Sequence, residues 1–115
     1  MERAEILVRA VHHAWYACSK MQGESPVSWA DMPEWRRNAL EHTVGFWESW
    51  ESWESCKDLD FPSFLAVTQL TWVQFHRRHH WAHTELLPYV SLPADQQKKL
   101  LAMLKTYILF RELTQ

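Results

Sequence analysis

The sequence predicts an all-α fold: a compact single-domain bundle of about four helices with short loops, spanning residues 1–115. Three observations carry that expectation. Apolar residues recur at intervals of three and four along four segments, the spacing of one helix face. The chain has only two glycines and no run of β-branched residues, so tight turns and strands are poorly served. Three of the segments open on Asp or Ser followed two residues later by proline, the chemistry of a helix start.

The first segment runs from about Glu2 to Met21. Ile6, Leu7, Ala10, Ala14 and Ala17 fall at helical spacing, with Val11, Trp15 and Cys18 alongside. Gln22-Gly23-Glu24-Ser25-Pro26 reads as a stop and a loop. The second segment begins at Asp31 and runs to about Ser55. Asp31 is the expected cap, Pro33 sits in the first turn and Glu34 falls three residues after the cap. Pro26 to Trp35 is therefore a rigid corner, with Trp29 on the entering loop and Trp35 on the first turn. Trp35, Ala39, Thr43, Phe46, Trp50 and Trp53 form the stripe of this segment.

The repeat Glu48-Ser-Trp-Glu-Ser-Trp-Glu-Ser55 has a period of three. On a helix of 3.6 residues per turn, each such step rotates back by about 60°. Trp47, Trp50 and Trp53 are thus expected to fan around one side, with Glu48, Glu51 and Glu54 as a parallel acidic edge. Asp60 is the expected cap of a third segment, from about Pro62 to His83, striped by Leu65, Thr68, Trp72, Phe75 and His79. Leu86-Leu-Pro-Tyr-Val90 reads as an extended loop, because a residue before proline avoids the helical region. Ser91 is the expected cap of the fourth segment, with Pro93 in its first turn and Leu100, Leu101, Leu104, Tyr107, Ile108 and Phe110 following.

Bulk numbers narrow the function. One domain is expected at this length, with room for a real core. The net charge of −2 argues against a protein that coats the phosphates of a nucleic acid polymer. No apolar run approaches the roughly 20 residues that span a bilayer, and no secretory leader is legible. Cys18 and Cys56 lie in no metal-like spacing and read as reduced thiols of a cytoplasmic protein. The unusual number is eight tryptophans, which must bury surface or bind something.

Four constellations could carry chemistry. His76 and His80, and His79 and His83, share a helix face at a spacing that suits zinc. A third ligand is not placed, and Arg77 and Arg78 inside the cluster oppose a cation, so no metal is expected. The cluster also sits where the helix dipole favours positive charge. An anion contact is its functional reading. Arg36 and Arg37 lie early in the second segment, against the dipole, and need partners: Glu41 or a phosphate. His12 and His13 point to different faces, so one is expected buried and one exposed. No catalytic triad order, glycine-rich phosphate loop or spaced carboxylate pair stands out, and no enzyme or cofactor is expected. Trp15, Trp29, Trp35, Trp72, Trp81 and Tyr89 either pack the core or line a pocket that stacks a base. Such stacking is worth about 1–3 kcal/mol per base, to which arginine adds.

These residues resemble a known family. Val11-His12-His13-Ala14-Trp15, Gln22-Gly23-Glu24, Trp29-Ala-Asp-Met-Pro-Glu-Trp-Arg36, Val44 and Phe46 are similar to the N-terminal part of small phage and bacterial proteins with a ryanodine-receptor-type (RyR) domain. Trp72, Trp81 and Leu87-Pro-Tyr-Val-Ser-Leu-Pro93 resemble later elements of that family. His13 stands where the family carries Glu, and its Gly-Trp-x-Tyr-Gly hairpin is reduced to His80-Trp81-Ala82-His83-Thr84. The resemblance implies ligand binding rather than catalysis. It implies recognition of a nucleotide-derived signal, such as a cyclic dinucleotide or a cyclic ADP-ribose relative, by a phage protein that sequesters it against host defence.

The expectation is therefore a non-enzymatic binder of a nucleotide-type small molecule in the cytoplasm. Its ligand-binding residues would be His12, Trp15, Trp29, Trp35, Arg36, Arg37, Trp72, Arg77, Trp81 and Tyr89. The alternative is a protein-interaction module, an inhibitor of a host protein or a homo-oligomer, whose interface is Trp47, Trp50 and Trp53.

Overall fold

The computed structural model describes residues 2–78 and 88–115, without the side chains of residues 75–78. The fold is all-α. Helices α1 (Arg3–Met21), α2 (Glu34–Glu48), α3 (Trp50–Cys56), α4 (Phe61–Arg78) and α5 (Ala94–Leu113) are joined by loops and one 3₁₀ turn at Tyr89–Ser91. Among the described residues no helix is long and apolar enough to cross a membrane.

Five α-helices replace the expected four among the described residues, because the second segment breaks at Ser49. The Ser49 backbone is extended there, at φ −60° and ψ 126°. Its N–H still bonds the Gly45 carbonyl at 3.0 Å and its carbonyl accepts from the Trp53 N–H at 2.9 Å, so few backbone groups are stranded. The break undoes the expected tryptophan fan. Trp47 is fully buried, its Nε1–H donates to Thr68 Oγ1 at 2.9 Å and its ring lies 5.0 Å from Tyr107. Trp47 therefore cannot be interface surface. Trp53 turns onto Phe64 and Tyr107 at 6.2 and 6.1 Å, while Trp50 stays 74% exposed. A buried indole with its N–H satisfied contributes far more than an exposed one, and that gain selects the bend.

The acidic edge dissolves for the same reason. Glu48 turns inward and accepts from the Tyr107 hydroxyl, from Arg111 Nη1 at 3.2 Å and from Arg3. It thereby ties α2 to both α1 and α5. Glu54 pairs instead with Lys57, three residues on, at 2.8 Å.

Helix α1 runs along α5, the most extensive helix pairing in the fold. Leu7, Val8, Val11, His12 and Ser19 are its buried residues together with Ala10, whereas Ala17 is exposed and Ala14 half-buried. The stripe is thus rotated from the expected alanine-rich line, since branched side chains bury more apolar area than alanines. The end of α1 is a Schellman motif: Glu24 N–H bonds the Ser19 carbonyl and Gly23 N–H bonds the Lys20 carbonyl, both at 3.0 Å. Gly23 takes φ 81°, the left-handed conformation this motif requires. The turn delivers Glu24 toward α5.

Helix starts are mixed against expectation. Asp60 caps α4, accepting the Ser63 N–H at 2.8 Å, and hydrogen bonding from the Ser63 side chain, then from that N–H, holds its carboxyl below the usual range. Asp31 does not cap α2. It folds into a tight turn with Ser28, whose Oγ donates to its carboxylate at 3.1 Å, and the helix begins after Pro33. Ser91 closes the 3₁₀ turn, and Pro93 rather than Ser91 stands at the start of α5. In both corrections the proline itself supplies the extended residue before the helix, with ψ near 150°. The core gathers Leu7, Val11, Leu40, Val44, Trp47, Leu65, Leu104 and Tyr107 from α1, α2, α4 and α5. Cys18 and Cys56 are free thiols, and burial pushes Cys56 up.

Candidate functional site

The Ser28–Asp31 turn and the N-terminus of α2 form the corner expected from sequence, and it folds back onto α1. Met32 N–H bonds the Trp29 carbonyl at 3.4 Å, and Arg36 and Arg37 N–H groups bond the Pro33 carbonyl at 3.1 and 3.2 Å. This fixes Trp29 and the two arginines on the side that faces His12 and Trp15. The Arg36 guanidinium lies 4.3 Å from the centre of the Trp15 ring. Arg37 lies 4.6 Å over Trp29 and donates to the Trp29 carbonyl at 3.3 Å. Arg9, from α1, stands over the same indole at 5.0 Å. Stacking on indoles answers the need of Arg36 and Arg37 for partners. Glu41, the expected partner, is exposed and makes no ion pair among the described residues.

His12 lies at the centre. Its ring is 5.5 Å from Trp15 and 5.7 Å from Trp29, and the residue is 1% exposed, while His13 is exposed. Burial, then the charges of Arg36, His13 and Arg37, push its pKa down from 6.5 to about 4. The imidazole is therefore neutral at physiological pH, with one donor and one acceptor. Neither ring nitrogen has a hydrogen-bond partner among the described residues. Buried polar atoms in native proteins are nearly always paired, so two orphans on one side chain call for an explanation.

Two cavities adjoin this cluster. An outer hollow of about 230 Å3 is lined by His12, Trp15, Val27, Met32, Trp35 and Arg36, with Pro33 at its edge. An inner cleft of about 40 Å3 lies among α1, α2, α4 and α5. Its polar lining comes from Arg36, Thr43, Thr68, Gln69, Gln96 and Lys99, and Trp15 and Trp72 close its sides. Trp15 and Arg36 line both, so their stack is the partition between the two. The outer hollow is smaller than the roughly 300–1,000 Å3 of a drug-sized pocket and suits a single planar ring system.

Of the residues expected to bind a ligand, the structure brings together His12, Trp15, Trp29, Trp35, Arg36 and Arg37 at the corner, and Trp72 at the inner cleft. Tyr89 is not among them. It sits in the 3₁₀ turn, half-buried against the core, and lines neither cavity. Trp81 and the side chain of Arg77 lie outside the described residues, as does the His76–His83 cluster. Among the described residues no group of three His, Cys, Asp or Glu side chains is placed to hold a metal.

Sequence reasoning missed Lys99 and Arg9. Lys99 lies in the run Gln96-Gln97-Lys98-Lys99, which reads as a solvated helix face, yet it is 4% exposed. A usable signal exists only in hindsight of its partner: Glu24 stands 75 residues away and meets it at 2.7 Å. Comparisons with protein-family models, with curated proteins and with solved structures find no match for this chain.

Proposed function

We propose that this chain is a non-enzymatic binder of a nucleotide-derived small molecule, held at the Trp15–Trp29–Trp35 corner. The carrying observation is His12: buried, neutral and, among the described residues, unpartnered at both nitrogens, at the wall of an apolar hollow flanked by arginine-covered indoles. A neutral imidazole of this kind reads the edge of a base by one donated and one accepted hydrogen bond. The indoles supply stacking surface and the arginines supply phosphate donors. The resemblance of the 11–15 and 29–36 stretches to RyR-type proteins supports the same ligand class, and with it a role in sequestering a signal. Binding rather than catalysis is favoured by the lining. A histidine with a pKa of about 4 is a weak base.

Titration calorimetry of the full chain against nucleosides, nucleoside monophosphates, cyclic dinucleotides and a cyclic ADP-ribose tests this reading. Micromolar binding by at least one, weakened about tenfold or more in His12→Leu, is the expected result. No heat from any of them at high micromolar concentration would sink it.

A second reading, a protein contact, is favoured by one observation: Trp50 is 74% exposed at the start of α3. Clustered tryptophans make binding hot spots, although Trp47 is now removed from the cluster. Light scattering decides for self-association: a strict monomer at high concentration excludes a homo-oligomer built on Trp50.

A further inference from the structure

Helix α5 is apolar on two sides, and the fold of one chain covers only one of them. Met103, Leu104 and Tyr107 are buried in the core. On the side turned away from Tyr107, Leu109 is 54% and Leu113 69% exposed. A helix that is apolar on more than one face is normally covered on more than one face. Beside α5 lies α1, running antiparallel. Gln22 Nε2 donates to the Asp95 carbonyl at 3.0 Å near one end of the pair, and Arg3 and Arg111 share Glu48 at the other. A groove of about 500 Å3 runs between the two helices, floored by Ile6, Ala10 and Ala14 of α1 and by Thr106 and Phe110 of α5.

Both walls of this groove carry the spacing of a helix that packs on another helix. Ile6, Ala10, His13 and Ala17 on α1 follow one another at four, three and four residues. Ala102, Thr106, Leu109 and Leu113 on α5 do the same. The face is also complementary to itself. A two-fold axis crossing the pair level with Val11 and Lys105 sets each helix antiparallel to its own copy. It lays Ile6 of one chain on Ala17 of the other, and Leu109 on Ala102, a large side chain on a small one each time. It brings Glu2 opposite Lys20 and Lys98 opposite Glu112. These four are exposed and make no ion pair within the chain among the described residues. The alternative arrangement, with α1 along the α5 of the copy, puts Arg9 opposite Lys105 and Lys20 opposite Lys98, which repel. The cations nearest the axis are already engaged: Arg9 with Glu5 at 3.3 Å, and Lys105 over the Phe61 ring at 5.6 Å.

We infer that two copies of this chain meet on this face: the α1–α5 groove packs on itself about a two-fold axis, each helix antiparallel to its own copy, and closes a four-helix layer. Leu109, Leu113 and Ile6 supply the buried apolar surface. The flanking charges set the orientation more than the affinity, since exposed ion pairs are worth little each. The inference is independent of the ligand at the tryptophan corner.

Sedimentation equilibrium of the full chain, from low micromolar to millimolar concentration, tests it. The expected result is a reversible equilibrium between the 13.8 kDa monomer and a species of twice that mass. Leu109→Glu should weaken the dimer at least about tenfold, with helicity by circular dichroism unchanged. Lys98→Glu should weaken it severalfold, as should Glu112→Lys, and the double exchange should restore it. Residues 98 and 112 stand about 21 Å apart along one helix, so that rescue comes only from across the interface. Trp50→Ser should leave the dimer unchanged, which separates this face from a contact built on Trp50. Should Leu109→Glu fail to fold, the charge exchange decides alone. A monomer at every concentration overturns the inference. So does an assembly larger than a dimer, a dimer that Trp50→Ser dissociates or that a folded Leu109→Glu leaves intact, or a double exchange that restores nothing.

Discussion

Two tryptophan–arginine clusters stand at opposite ends of α2 and differ in one respect. At the C-terminal end, Arg111 lies 4.1 Å over Trp53, Glu48 accepts from Arg111, Arg3 and the Tyr107 hydroxyl, and Trp47 donates to Thr68. Polar groups there find partners inside the fold. At the N-terminal end the ingredients are the same, with Arg36 over Trp15 and Arg37 and Arg9 over Trp29. Yet the buried polar residue at its centre, His12, is left with two nitrogens that no described residue pairs. Saturated clusters hold a fold together, whereas an unsaturated buried group lowers stability and is retained where something else pairs with it. Residue type alone does not separate the two ends. Hydrogen-bond satisfaction does.

Four measurements sharpen or break this contrast. The largest effect belongs to the saturated end. Trp47→Ala removes a fully buried indole and its bond to Thr68, and chemical denaturation should report a loss of about 3–5 kcal/mol. A loss below about 1 kcal/mol would mean that this end is not the structural one.

Next comes the pH response of the unsaturated end. Folded His12 takes its proton near pH 4, while the unfolded chain takes it near 6.5. Between those values the unfolded state carries more protons, so stability falls as pH drops from 6.5 toward 4 and this contribution is flat above 6.5. At about 1.4 kcal/mol per pKa unit the fall is roughly 3 kcal/mol. Denaturant midpoints across that window should show the slope, and His12→Leu should remove His12's share of it. An unchanged slope in the variant refutes the assignment.

The third measurement compares stability with binding in a single variant. Leucine nearly conserves the volume of His12 and leaves no polar atom orphaned, so His12→Leu should be neutral or stabilising by about 1 kcal/mol. It should nevertheless bind the nucleotide-type ligand at least about tenfold more weakly. Destabilisation by more than about 2 kcal/mol would show that the imidazole serves the core instead. The smallest effect is at Trp50: Trp50→Ser should change stability by less than about 0.5 kcal/mol, since the residue is 74% exposed. A larger change in thermal melts that depends on protein concentration would point to a contact between copies.

Much of this is legible in the sequence. The Pro26–Trp35 corner, the Asp60 cap, the stop at Gly23 and the division of labour between His12 and His13 follow from local rules: proline geometry, capping by short polar side chains, and the 100° rotation between successive helical residues. The corner's residues did converge with Trp15. The fan at Trp47, Trp50 and Trp53 does not form, because the helix is not continuous through Ser49. A one-residue break is favoured only by what Trp47 and Glu48 meet on α4 and α5.

The sequence by itself determined that the chain is helical, where α1 stops and α4 starts, and that an indole-rich corner precedes α2. Those properties depend on residues within four or five positions of one another, whose chemistry acts through the backbone. Only the tertiary structure decided which polar groups are paired. Glu48 with Arg111, Glu24 with Lys99 and Trp47 with Thr68 are separated by 63, 75 and 21 residues. His12 is set apart by having no such partner among the described residues, and that too is visible only when the helices are packed. Pairing across such distances is fixed by how the apolar faces of α1, α2, α4 and α5 dock, and a one-dimensional pattern does not contain that docking.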